Sequence, residues 1–287
     1  MTDTSLQRAG LPRLMRLSAG RADIAVGLID GPVQTALPAF SGVRFRQGEP
    51  LAVAGDAAGP ARVHATLVAS LLAAARDDTP SGICPACTFV LHPIFAGEAT
   101  PRASPAVLAA AIEATVAAGA HVINLSVALE PGPIAQLDTL RAALDRADRR
   151  GVIIVAAAGN QARIGHSLIA SHPAVLPVAA CDPLGRPTSE TNLGRSIGQR
   201  GVSAPGAQVV GLLPSGQLEV FGGTSAAAPF VTGTIALLYA LLPGIDRRRV
   251  IWSLTGARRP RARLVPPLLN AWAAYETLTG NGLKDAA

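Results

Sequence analysis

The sequence predicts a three-layer α/β fold, with a mostly parallel central sheet covered by helices on both faces. Three observations predict it. Strand-like and helix-like segments alternate along the chain. The strand-like segments are apolar throughout instead of alternating, the pattern of strands buried on both faces. The 287 residues are 49% apolar but only 3% aromatic, so Ala, Val, Leu and Ile must fill the core and bring the layers close together.

In order, residues 1–23 form an N-terminal arm with a short helix over 11–20, and residues 24–287 form one domain with no internal repeat or long linker. IAVGLI at 24–29 is a buried strand that runs into Asp30-Gly31-Pro32. Residues 41–60, rich in Gly, Pro and small side chains, are a loop with short strand pieces. A helical pattern over 61–76 follows, then a strand over 88–94 and a helix over 104–118, where Ser104 can cap and Pro105 can occupy the first turn. Next come a strand (121–126), a helix (134–150), and strands at 152–157, 175–180 and 208–213. The chain closes with helices over 225–241, broken early by Pro229, over 246–255, and from Leu268 to Thr277.

Composition narrows the function classes. The net charge is +6 with Lys284 as the single lysine, so the basic character is carried by arginine. Arginines cluster at Arg247, Arg248 and Arg249, and again at Arg258, Arg259, Arg261 and Arg263. No aromatic residues interleave with them and no nucleic-acid motif is present, so they are expected to be solvated surface and not a nucleic-acid contact. Cys84 and Cys87 form a C-P-A-C pair too small for a four-ligand zinc site, and a strand follows where a redox motif needs a helix. Together with Cys181 they are expected to be structural, or to form an incidental disulfide. The N-terminus lacks the apolar core of a signal peptide, and the apolar stretch around Ile235 to Leu242 is too short and interrupted for a bilayer. A cytoplasmic protein without membrane contact is expected.

In a parallel α/β sheet, chemistry collects beyond the carboxyl ends of the strands. Asp30 and Asn160 fall at two such ends. With His64 and Ser225 they supply the four groups that serine-based acyl transfer needs: a carboxylate, an imidazole, an oxyanion donor and a hydroxyl. Each alone has an ordinary reading. Asp30 and Asn160 could be turn residues, His64 a core histidine, and Ser225 the N-cap of its helix.

Together the blocks VGLIDG around Asp30, VHATLVAS around His64, VINLS at 122–126, VAAAGN ending at Asn160, SAPG at 203–206 and GTSAAAP around Ser225 resemble the subtilisin-like serine peptidases. The resemblance covers about residues 24–275 and implies a subtilisin-like fold. It implies that Asp30 orients His64, that His64 is the general base and then the general acid, and that Ser225 is the nucleophile. Asn160 and the Ser225 backbone N–H form the oxyanion hole. It further implies that Ser126, Val127 and Ala128 form one wall of a peptide-binding cleft, with Ala157, Ala158 and Gly159 on the other side of the first pocket. Asp-Gly-Pro-Val at Asp30 and GICPACTFVLHPIF look like the members that mature cyanobactins and related ribosomal peptides. The substrate implied is therefore a precursor peptide losing a leader or follower segment. No inserted capping helix of the kind used for macrocyclisation is visible, so hydrolysis is expected.

Two positions depart from the family pattern. Ala65 follows His64 where many members have glycine, and Ala128 stands where glycine is common beside the specificity pockets. Neither removes a catalytic group. No cofactor is implied, and no calcium ligand set can be matched. Asp77-Asp78 is the nearest candidate, and a calcium cage needs about six or more oxygen ligands. The runner-up reading is a catalytically silent module that binds a precursor peptide and associates with other peptide-modifying enzymes. The basic tail hints at an acidic leader peptide.

Overall fold

The structure, a computed structural model, describes residues 4–48, 59–95, 102–129, 132–165, 167–256 and 263–280. The strands are β1 Ala25–Asp30, β2 Arg44–Gln47, β3 Thr88–Pro93, β4 Arg102–Ala103, β5 Val122–Leu125, β6 Ala128–Leu129, β7 Ile153–Ala157, β8 Val175–Cys181, β9 Val202–Pro205, β10 Val209–Leu212 and β11 Leu218–Phe221. The helices are α1 Thr4–Arg8, α2 Leu11–Leu17, α3 Pro60–Ala73, α4 Pro105–Ala117, α5 Ile134–Arg149, α6 Arg195–Arg200, α7 Thr224–Leu241, α8 Arg247–Thr255 and α9 Ala271–Thr279.

Among the described residues, a seven-stranded sheet runs in the order β2-β3-β1-β5-β7-β8-β9, and every pairing in it is parallel. The apolar strands explain its two covered faces. Alternate side chains point to opposite sides, so Val26, Leu28, Val122, Ile153 and Val155 join one core with α3, α7 and α2. Ile29, Ile123, Leu125, Ile154 and Ala156 join a second core with α4 and α5. The expected three layers are therefore present. The order places β1 between β3 and β5, with β1 joined to neither by a local turn.

Several elements differ from the sequence expectation. Helix α7 is not broken at Pro229 but continues from Thr224 to Leu241 with the proline inside it. Proline removes one N–H donor, whose helical acceptor four residues earlier is the Ser225 carbonyl, so one bond is lost in the first turns and packing carries the rest. The helix is also longer than the apolar stretch expected there. It has the length and composition of a bilayer span, yet 83% of it is buried inside the fold, which makes it a core helix. The last helix begins at Ala271, not Leu268, because the Asn270 side chain accepts from the Ala273 N–H at 3.0 Å and caps it there. The short helices α1 and α6 and the strands β9 and β11 carry patterns too short to stand out, whereas β10 falls within the strand expected over 208–213. By contrast Ser104 caps α4 as expected, accepting from Val107 N–H at 3.3 Å.

Cys84, Cys87 and Cys181 are free and fully buried, so no incidental disulfide forms. Burial pushes the Cys181 thiol up to about 11. Of the two arginine clusters, Arg258, Arg259 and Arg261 lie outside the described residues, as do residues 49–58 of the 41–60 loop.

Candidate active site

Asp30 is the last residue of β1, and its side chain is 3% exposed at the carboxyl edge of the sheet. One carboxylate oxygen, Oδ1, accepts from the Gly31 N–H at 2.7 Å and meets His64 Nδ1 at 2.8 Å. The other, Oδ2, is buried and has no partner among the described residues. His64 lies in the first turns of α3, which begins with Pro60 at its first position. Gly31 allows that helix start to lie against the strand end, since a Cβ there would sit 2.2 Å from the Ala61 carbonyl oxygen.

The two groups set each other's state. Burial opposes charge on the imidazole, but the Coulombic pull of the Asp30 carboxylate and the hydrogen bond to it outweigh burial. His64 is therefore held above its ordinary value. The pair's contribution to stability is full below the ordinary imidazole range and is lost as pH rises through the raised value. With Nδ1–H donating to Asp30 in the neutral form, the lone pair lies on Nε2, the nitrogen turned away from the acid.

Ser225 is the second residue of α7 and half-buried, and the helix N-cap is Gly223 and not Ser225. Gly223 has φ +91°, and a Cβ on it would stand 2.7 Å from Asn160 Nδ2, so a side chain is excluded twice over. Helix starts leave their first N–H groups without helical acceptors. Here Gly223 N–H bonds the Gly206 carbonyl at 2.7 Å, Thr224 N–H bonds Asn160 Oδ1 at 2.8 Å, and Ala226 N–H bonds the Gly223 carbonyl at 3.1 Å. The Ser225 N–H between them finds no acceptor among the described residues. Asn160 Oδ1 also accepts from the Thr224 hydroxyl at 3.0 Å. With its oxygen held twice, the Asn160 amide must present its NH₂ on the other side. Helices α7 and α3, which carry Ser225 and His64, pack against each other.

Of the remaining expected residues, Ser126 is buried and accepts from Asn124 Nδ2 at 3.0 Å. Val127 is half-buried against the second core. Ala128 opens β6, which pairs in parallel with β4 through Arg102↔Ala128 and leaves each strand of that ribbon one open edge. The Ala128 side chain lies outside the described residues. Ala157 ends β7 half-buried, whereas Ala158 turns its methyl into a small cluster with Ala170, Ala179 and Ile197. Ala65 is 1% exposed and packed in the main core, so its methyl is accommodated without glycine.

Residues 21–257 match the Subtilase family of peptidases. The chain belongs to the subtilase family. It is 30% identical to subtilisin DY of Bacillus licheniformis over 80% of this chain and 81% of that protein. It is 30% identical to mycosin-4 of Mycobacterium tuberculosis over 99% of this chain and 68% of that protein. The subtilase spans 56% of the thermostable alkaline protease of Halalkalibacterium halodurans, also at 30% identity. Among solved structures, the prenylagaramide maturation protease PagA superposes with TM-score 0.82 at 30% identity, covering 94% of this chain and 99% of that one. A mutant of the protease domain of PatA superposes with TM-score 0.81 at 33% identity, covering 91% and 97%. The protein is a subtilisin-like serine protease, similar in structure to proteases that mature precursor peptides.

Two asparagines of this subtilase escape a motif reading. Asn192, 9% exposed, accepts from the Gln161 and Arg163 N–H groups at 3.1 and 3.0 Å and donates to the Ala158 carbonyl at 3.0 Å. Its own N–H donates to the Gly159 carbonyl at 2.8 Å. It thus braces the turn that carries Asn160. Thr224 braces the same turn from α7, accepting the Gly159 N–H on its hydroxyl at 3.1 Å. Asn124, 1% exposed in β5, joins Ser126 to the Thr232 hydroxyl of α7, the latter at 2.9 Å. A buried asparagine within an apolar strand is a signal the sequence does carry.

Proposed function

We propose that this subtilase is an endopeptidase that cleaves a ribosomally made precursor peptide through Asp30, His64 and Ser225. The observation that carries the reading is the 2.8 Å bond between a buried Asp30 and His64 Nδ1, which leaves Nε2 as the basic nitrogen. Ser225 Oγ attacks the scissile carbonyl while Nε2 takes its proton. The developing oxyanion accepts from the unengaged Ser225 N–H and from Asn160 Nδ2, both held by the turn before the attack begins. The tetrahedral adduct collapses, the leaving amine takes the proton from Nε2, and water releases the acyl group by the reverse sequence. Asp30 holds the imidazole tautomer and stabilises the cation formed in each half-reaction.

A peptide strand adding to the open edge of the β4–β6 ribbon, beside Ser126 to Ala128, would carry its scissile bond toward α7. Ala157 to Gly159 flank the first pocket, mainly through backbone, since the Ala158 methyl is turned into the cluster around Ile197. The precursor-peptide substrate rests on the likeness to PatA and PagA, both maturation proteases and both at 30% identity or more.

A fluorophosphonate probe tests the chemistry. The parent protein is expected to label and Ser225→Ala is expected not to. A folded parent that does not label makes this a silent peptide-binding module instead. Mass spectrometry of cleaved peptide libraries then defines the preferred bond.

A further inference from the structure

The end of the sheet opposite the site described above carries a second concave surface of about 690 Å³. Ala120 and His121 precede β5 there, Gly151 and Val152 precede β7, and the chain passes from the end of α7 into α8. The lining includes four arginines, Arg149, Arg150, Arg247 and Arg248, against two acids, Asp148 and Asp246.

Both acids are already engaged. Asp148 pairs with Arg247, which also reaches the Val152 carbonyl at 3.4 Å. Asp246 caps α8, accepting from the Arg248 and Arg249 N–H groups at 2.7 and 3.2 Å. The side chains of Arg149, Arg150 and Arg248 are exposed and have no ion-pair partner among the described residues. The remaining polar groups also donate. His121 Nδ1 accepts from the Ala25 N–H at 3.1 Å, which puts the ring proton on Nε2 in the neutral form. Tyr239 packs tilted at 57° against that ring with centroids 6.2 Å apart, and burial pushes its phenol up to about 12, so it stays a neutral O–H. The cleft thus offers hydrogen-bond donors, and its four arginines outnumber its two acids, one of them paired with Arg247 and the other capping α8.

We propose that this cleft is a docking site for an acidic segment of the peptide substrate, remote from the bond that is cut; the substrate part of this inference rests on the precursor-peptide reading above. A peptide fits better than a nucleic acid. Tyr239 is largely buried and offers no open stacking face, and Asp148 and Asp246 flank the arginines where a continuous phosphate backbone would run. Planar guanidinium forks suit separate carboxylates. An extended segment gains about 3.3 Å per residue, so a precursor with a long enough linker can occupy both places.

The test uses the Ser225→Ala protein, so that binding is measured without hydrolysis. Fluorescence anisotropy compares a labelled glutamate-rich peptide with the same peptide carrying glutamine. The glutamate peptide is expected to bind roughly tenfold tighter, and the Arg149→Gln/Arg150→Gln/Arg248→Gln variant to lose that preference. In the protein with Ser225 intact, the triple variant is expected to cut a short peptide normally but to lose kcat/KM on a substrate with the acidic segment attached. Equal binding of the two peptides overturns the proposal, as does a triple variant that keeps the preference. So does a single-stranded oligonucleotide that binds tighter than the acidic peptide at physiological salt. None of these results bears on fluorophosphonate labelling, so a failed docking site and a failed protease remain distinguishable.

Discussion

The two ends of the central sheet handle polar groups in opposite ways. At the carboxyl end, Asp30, His64, Asn160, Thr224 and Asn192 are tied to one another or to backbone over distances of 2.7 to 3.1 Å. What remains open there is narrow: Nε2 of His64, the Ser225 N–H and the Asn160 NH₂. At the amino end, three guanidinium groups stand exposed without ion-pair partners among the described residues, beside one acid paired with Arg247 and another that caps α8. Held dipoles stabilise a charge that forms during a reaction without reorganising. Mobile arginines suit a charge that exists beforehand and arrives in varied positions. The same fold thus supplies a stiff end suited to chemistry and a compliant end suited to capture.

Substitutions at the stiff end should cost most. Ser225→Ala is expected to lower kcat by about 10⁶, a magnitude taken from subtilisin itself, and single-turnover hydrolysis measures it. Asp30→Asn is expected to lower kcat by about 10⁴. It should also move the pH profile. With the carboxylate present His64 sits above its ordinary value, so the acid limb of kcat/KM should lie above about pH 6.5. Without it, burial alone acts and the limb should fall below that point. A limb that stays put would break the link between Asp30 and the imidazole. Asn160→Ala is expected to cost about 10²–10³ in kcat with KM nearly unchanged, again the scale known for subtilisin.

Smaller effects sharpen the contrast. Asn192→Ala leaves two N–H groups and a carbonyl of the turn that carries Asn160 without their partner. Thermal melting should show a loss of about 1–3 kcal/mol, with kcat falling and KM held. Thr224→Ser, which keeps both bonds of the hydroxyl, should come near the parent, whereas Thr224→Val should behave like Asn192→Ala. Smallest of all, the arginine triple variant should change short-peptide kcat/KM by less than about twofold, since surface charges far from a site act weakly through salt. A large loss on the short peptide would mean that the two ends are not independent.

Much of this was legible before any coordinates. The all-parallel sheet follows from strands without alternation, and Asp30, His64, Asn160 and Ser225 stand in short blocks whose local chemistry is recognisable. Helix α7 departs from the sequence expectation because a proline rule read locally ignores how deeply the helix is buried. The role of Asn192 was not legible, because its partners Ala158, Gly159, Gln161 and Arg163 lie some thirty residues away and nothing local marks it. The same holds for Arg150 and Arg248, which only folding brings to one cleft. Contact between distant residues is a property of topology, and a linear pattern carries it only where a buried polar residue such as Asn124 interrupts an apolar run.

The placing of β1 between β3 and β5 has a consequence during synthesis. Strand β1 must wait for residues 88–93 and 122–125 before both of its edges are covered, and Ser225 arrives a further hundred residues on. Such non-local pairing makes folding slow and leaves strand edges bare meanwhile. On the proposed reading, a chain still leaving the ribosome holds Asp30 and His64 without Ser225, and gains that hydroxyl only when α7 has closed over the sheet.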